Sequence, residues 1–66
     1  MNYLKRKLEE RNMSQVELAK RLGVDKSAIT HYITGRIKLK NLSVERVTNI
    51  AMILNVPIEE FIKSII

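Results

Sequence analysis

The chain has 66 residues, with twelve lysines and arginines against seven aspartates and glutamates, one histidine and no cysteine, which gives a net charge of +5. A chain of this length fits a single domain over residues 1–66, and the lack of cysteine excludes a disulfide framework, a thiolate nucleophile and thiolate zinc sites. The positive charge favours a polyanionic partner such as nucleic acid.

Apolar residues recur at steps of three and four almost throughout the chain, which predicts an all-α fold of five short helices. The first helix is predicted over about residues 2–11, with Leu4 and Leu8 on its apolar face. The second follows Ser14, which opens a Ser-x-x-Glu capping box, and it ends at Gly23, a residue type that tolerates the left-handed backbone of a helix exit.

The third helix is predicted from the N-cap residue Asp25 to Thr34, with Gly35 directly after it. Its apolar stripe consists of Ala28, Ile29, Tyr32 and Ile33. Residues 35–40 hold three cations and no carboxylate, whereas residues 55–60 hold two carboxylates and no cation. One end of the molecule is therefore expected to face phosphate.

The fourth helix is predicted between Ser43, which caps it, and Asn55, and Pro57 is expected in the first turn of the fifth, where a missing amide costs nothing. The side chains expected on the buried side of the fourth helix are Val44, Val47, Ile50, Ala51 and Leu54. Ile58 and Phe61 suffice to close the core. Some of the remaining apolar side chains of the fifth helix then have no obvious internal use, among Ile62, Ile65 and Ile66.

The second and third helices are joined by so short a turn that they must cross steeply, and only small residues are expected where they approach. Ala19 and Gly23 meet that requirement. The polar face of the third helix is then turned outward, and it consists of Lys26, Ser27, Thr30 and His31. All four side chains form hydrogen bonds and none is acidic, so this face is suited to a polyanionic partner.

The same helix pair carries a motif of known type: Gln-x-x-Leu-Ala-x-x-Leu-Gly at residues 15–23, then Ile-x-x-Tyr at residues 29–32 and Gly35. It resembles the helix-turn-helix of the Cro and repressor-type family, also called the xenobiotic response element family. Residues 43–61 are similar to that family's fourth and fifth helices, so the resemblance covers nearly the whole chain. It implies a repressor-like domain that binds double-stranded DNA, with the third helix as its recognition helix.

The resemblance also implies a role for individual residues. The recognition-helix positions whose side chains reach base edges are Lys26, Ser27, Thr30 and His31. Contacts to backbone phosphates are implied for Ser14 and Gln15, aided by amides at the start of the second helix, and for the cations after the third helix, namely Arg36, Lys38 and Lys40. No metal site, cofactor or catalytic residue is implied, and we expect no enzyme activity.

Several of these residues have a second interpretation. Instead of contacting a base, Lys26 touches only phosphate in the second interpretation. Likewise, Ser27 only stabilises the first turn of the third helix. Gln15 is otherwise a solvated polar residue, and His31 otherwise faces solvent or phosphate. The cations after the third helix are otherwise a solvated basic loop.

Two departures from the family pattern stand out. Many members pair an arginine of the first helix with a glutamate of the third, and the matching positions here are Leu8 and Ile33. Packed apolar residues replace a buried ion pair at little cost, so this is a consistent variant of the core. The loop between Gly35 and Ser43 is longer than usual and has Ile37 where a second cation is common.

These observations together predict a repressor that acts as a homodimer on a palindromic operator, by occupancy. The dimer interface is expected on the fifth helix at Ile62, Ile65 and Ile66, with help from Met52 or Ile53. We expect no membrane span and no leader, and hence a cytoplasmic protein. The alternative is an antitoxin or an adaptor-type protein-binding module on the same scaffold. Control of DNA binding by a second protein is also one of the expected possibilities.

Overall fold

The computed structural model describes residues 3–66. Within this range all the regular secondary structure is helical, and no strand is assigned. The elements are α1 (Tyr3–Glu10), α2 (Gln15–Leu22), α3 (Lys26–Thr34), a single 3-10 turn (Leu39–Asn41), α4 (Val44–Leu54) and α5 (Ile58–Ile65). The all-α prediction of five helices is confirmed. The predicted start of the first helix, Asn2, lies outside the described residues. None of the helices within residues 3–66 is long and apolar enough to cross a membrane.

One core receives side chains from all five helices. Its largest fully buried members are Phe61, Leu4, Leu18, Ile29, Ile50 and Leu54. The ring of Tyr3 stacks on that of Phe61 with 5.5 Å between the ring centroids, which joins α1 to α5. Leu39, in the 3-10 turn, is also buried, so the basic segment after α3 is anchored in the core rather than freely solvated along its length.

Two valines in helices are exposed, and one of them, Val44, was predicted on a buried side. Val44 is 82% exposed and Val16 is 45% exposed. Each lies in the first turn of its helix, where the Cα–Cβ bond tilts toward the N-terminus and carries the side chain past the packed part of the helix. The prediction that Val44 packs in the core was therefore wrong.

The caps of α2 and α4 follow local sequence signals. Ser14 accepts a hydrogen bond from the amide of Glu17, and Ser43 accepts one from the amide of Arg46, both at 3.1 Å. The carboxylate of Glu17 does not complete the capping box, because it accepts from Arg21 Nε at 2.7 Å. The first half of the predicted capping box is thus confirmed.

Two other helix-end predictions need correction. Gly23 has a φ of 78°, as its cap role requires, but a Cβ at this position would meet no atom within 4 Å. Gly23 is therefore needed for its left-handed backbone and not for close helix approach. Pro57 precedes α5 as its N-cap residue and does not lie in the first turn, since its ψ of 135° is extended.

Arg11 links the end of α1 to the end of α4. Its Nε donates to the carbonyl oxygen of Leu54 at 2.7 Å, and its Nη2 donates to that of Asn55 at 3.3 Å. Carbonyl groups in the last turn of a helix lack partners within the helix, so the guanidinium satisfies groups that otherwise depend on water.

Replacement of Arg11 by alanine should lower the free energy of unfolding by about 1–2 kcal/mol, because two charged hydrogen bonds to carbonyl groups are lost. Arg21→Ala is the matched control: its bond to Glu17 is short, but the two side chains are 53% and 46% exposed. An exposed pair of this spacing contributes below about 0.5 kcal/mol. Urea unfolding measures both variants, and equal losses would contradict the capping role of Arg11.

The hydroxyl of Tyr3 donates to Glu60 Oε2 at 2.9 Å, a second link between α1 and α5. Lys7 Nζ lies 3.9 Å from the same carboxylate oxygen. Burial, followed by the hydrogen bond to Glu60, raises the pKa of Tyr3 to about 12. The phenol therefore stays protonated and remains a donor across the neutral range.

Candidate nucleic-acid interface

The turn between α2 and α3 is fixed by hydrogen bonds to one carbonyl group. The amides of Gly23 and Val24 both donate to the carbonyl oxygen of Ala19, at 2.9 and 3.0 Å. Leu18 of α2 and Ile29 of α3 are fully buried beneath the turn. Because both helices are anchored in the core, the outer face of α3 is held in one orientation.

That outer face carries the four side chains predicted to reach base edges. Lys26 and Ser27 are exposed, and Thr30 and His31 are half-buried. Their spacing places them on one side of α3, opposite buried Tyr32, since residues four apart lie one above the other on a helix. His31 belongs to no group of three or more potential metal ligands within residues 3–66.

The structure joins two of the predicted DNA-contacting residues to each other. Thr30 Oγ1 lies 3.1 Å from Gln15 Oε1 and 3.2 Å from the carbonyl oxygen of Lys26. A hydroxyl has one hydrogen, so it donates to these two acceptors in turn. The side chain of Thr30 thus ties the first residue of α2 to the middle of α3. Helical spacing gave no signal for this contact, because it joins two different helices.

The N-terminus of α2 presents a cluster of donors. Ser14 Oγ accepts from the amide of Glu17, which leaves its hydrogen available for donation. Gln15 uses its side-chain oxygen toward Thr30, so its amide nitrogen is available as well. Within residues 3–66, the backbone amides of Gln15 and Val16 have no acceptor, as is usual in the first turn of a helix. These groups form a donor set suited to one phosphate.

The segment after α3 holds its three cations at the surface. The backbone leaves α3 through Gly35, with φ of 83°, and turns back so that the amide of Ile37 donates to the carbonyl oxygen of His31 at 3.1 Å. Buried Leu39 separates Lys38 from Lys40. All three predicted phosphate-contacting cations are exposed, namely Arg36, Lys38 and Lys40. The whole stretch of residues 26–44 contains no carboxylate.

The two apolar residues at the positions of the family's ion pair pack as expected. Leu8 is buried in α1, and Ile33 of α3 is partly buried against the same core. Among the described residues no charged or polar residue is buried. The position that holds an ion pair in many family members is therefore part of the apolar core here.

The apolar residues of α5 divide into two groups. Ile66 is 84% exposed and Ile62 is 41% exposed, but Ile65 packs partly against the core. Ile65 is thus the one of the three with an internal use, because its spacing from Phe61 places it on the buried side of α5. On α4, Met52 is 72% exposed, whereas Ile53 is partly buried.

Comparison with known proteins identifies a family for this chain. A family model described as helix-turn-helix matches residues 4–61, which include α2, α3 and the basic segment that follows. No match was found among curated proteins or among solved structures. The matched range therefore contains every residue of the candidate interface described above.

Proposed function

Since the chain belongs to the helix-turn-helix family of DNA-binding transcription regulators, of the Cro and repressor type, we propose that it is a sequence-specific repressor that binds a palindromic operator as a homodimer. Two copies place α3 in successive major grooves, ~34–36 Å apart. Occupancy of the operator excludes polymerase. The protein acts in the cytoplasm, where its operator is found.

The single observation that supports this proposal best is the outer face of α3. It is held rigidly by the buried side of the helix, it carries hydrogen-bonding side chains, and no carboxylate occurs in residues 26–44. An adaptor module of the same fold has no need to keep acids out of this stretch. Cations and neutral donors beside a helix of this kind suit the phosphate backbone and the base edges of duplex DNA.

Each side chain then has its own task. Lys26 donates to guanine O6 and N7, while Ser27 and His31 donate or accept with less selectivity. Thr30, whose hydroxyl is engaged by Gln15, offers its methyl group to a thymine methyl. Contacts to phosphate come from Ser14, Gln15, Arg36, Lys38 and Lys40.

The proposed dimer interface is the apolar part of α5. Ile62 and Ile66 expose apolar surface on a domain that is too small to bury much area by itself. Ile65, which lies between them in sequence and touches the core, connects this surface to the interior. Ile65 and Ile66 line the same surface cavity as Lys38 and Lys40, so this interface adjoins the basic segment after α3.

Selection of bound sequences from random duplex DNA at near-physiological salt tests the proposal. We expect a palindromic motif bound ~10³-fold or more above non-specific sequence. Lys26→Ala together with His31→Ala should abolish the preference at the positions they read while retaining salt-dependent binding, because the phosphate contacts remain. The matched control is Lys63→Ala with Asn49→Ala, two exposed residues of α5 and α4, which should leave the motif unchanged.

Absence of any motif, with binding that only fades as salt rises, would contradict the proposal and favour the adaptor function. A motif without two-fold symmetry would contradict the homodimer but retain the sequence-specific reader. Loss of the motif in the control variant would contradict the assignment of base contacts to α3.

A further inference from the structure

Asp25 lies at the N-terminal end of α3, directly before Lys26, and its side chain is exposed and makes no capping hydrogen bond. At the starts of α2 and α4, the serine side chain accepts from the amide three residues on. In α3 the corresponding amide, that of Ala28, donates instead to the backbone carbonyl oxygen of Asp25 at 3.1 Å. The carboxylate is thus not used to cap its helix.

The position of this carboxylate is unusual for a surface that faces DNA. It directly precedes the acid-free stretch of residues 26–44, where the other charged side chains are cations. A carboxylate near phosphates is repelled, so it weakens non-specific binding. The N-terminal residues of a recognition helix, however, approach base edges and not the backbone alone. At that position a carboxylate is close enough to a base edge to accept a hydrogen bond from it.

We propose that Asp25 is a specificity-determining residue that selects cytosine in the major groove, an inference that rests on the proposed function. An ionised carboxylate only accepts hydrogen bonds. Cytosine presents the N4 amino donor in the major groove, whereas guanine presents only the acceptors N7 and O6. Asp25 therefore accepts from cytosine and is repelled by guanine, and its neighbour Lys26 has the opposite preference.

The test compares sequence selection by the wild type, Asp25→Ala, Asp25→Asn and the control Glu59→Ala. Glu59 is exposed in the first turn of α5, so its removal changes net charge and a helix N-terminus in the same way as Asp25→Ala does. The wild type should require cytosine at one position of each half-site by about fivefold or more. Asp25→Ala should lose that preference alone, and Glu59→Ala should keep the wild-type motif.

Asp25→Asn gives the sharpest readout. An amide side chain both donates and accepts, which matches adenine N6 and N7, so the preference at this one position should change from cytosine to adenine. Identical motifs in the wild type and both Asp25 variants would overturn the inference. Equal weakening at all positions would also overturn it, because it would assign Asp25 to the stability of α3. The absence of any motif in the wild type is a different result, which refutes the proposed function itself.

Discussion

Phe61→Ala should remove about a third or more of the free energy of unfolding of the protein. Phe61 is fully buried and its ring stacks on Tyr3. Truncation of a buried phenylalanine to alanine costs about 3–5 kcal/mol. A domain of 66 residues is stable by roughly 3–10 kcal/mol on the usual scale per residue. The loss therefore ranges from about a third of the stability of the domain to all of it.

Far-UV circular dichroism in a urea series measures this effect. Phe61→Leu should be intermediate, because it retains part of the buried volume and loses only the ring contact and some packing. Val44→Ala is the control on a large apolar residue that is 82% exposed, and it should change stability by less than about 0.5 kcal/mol. A wild-type midpoint for Phe61→Ala would show that α5 is not part of the core that holds the domain together.

The same core positions the candidate interface. Phe61 lies in α5, and α5 contacts the 3-10 turn in which Leu39 is buried. Lys38 and Lys40 flank Leu39 and are therefore held at the surface by the packing beneath them. Loss of α5 packing should release these cations as well as weaken the fold. Stability and phosphate contact are coupled through one short turn.

Four residues at helix ends were predicted correctly because their signals are local. Ser14, Gly23, Ser43 and Asn55 act on backbone groups within four residues of themselves, so the sequence alone contains both partners. The helical period likewise predicted which sides of the helices are buried. It failed at Val44, where a first-turn position has no neighbour to cover it.

Contacts between helices could not be predicted in this way. Arg11 binds the end of α4, Tyr3 binds Glu60, and the partners lie 43 and 57 residues apart in the chain. No spacing rule connects residues so distant, because their proximity is decided by how the helices pack. For the same reason the sequence assigned Thr30 to DNA without its bond to Gln15.

The candidate site contains positions that were predicted from the sequence and one that was not. Family resemblance supplied the positions on α3, and the structure places all four of them on the outer face. Asp25 was interpreted only as a helix cap, because aspartate is a preferred residue there. Its carboxylate makes no such bond, since the amide of Ala28 is already engaged by backbone. The preference for aspartate at helix starts therefore gave no sign that the carboxylate of Asp25 is a free hydrogen-bond acceptor beside the predicted base contacts.

Removal of the three cations after α3 should change the salt dependence of DNA binding more than any other substitution proposed above. Each phosphate contact contributes about 0.9 to the slope of log K against log salt concentration. Arg36→Ala, Lys38→Ala and Lys40→Ala together should lower the magnitude of the slope by about 2.7 for each bound protomer, hence about 5.4 for a dimer. Affinity should fall to a similar degree on all sequences, because phosphate contacts carry no base information.

Fluorescence anisotropy on one labelled duplex, across salt from about 50 to 200 mM, gives the slope. Lys63→Ala is the control, because it removes one exposed cation of α5 that is not among the predicted phosphate contacts. It should lower the slope far less than Lys38→Ala alone. Equal slopes for the triple variant and the wild type would show that the basic segment is only solvated. A change of about 2.7 would correspond to three lost phosphate contacts in all, and it would contradict the prediction that both protomers of a dimer use all three cations.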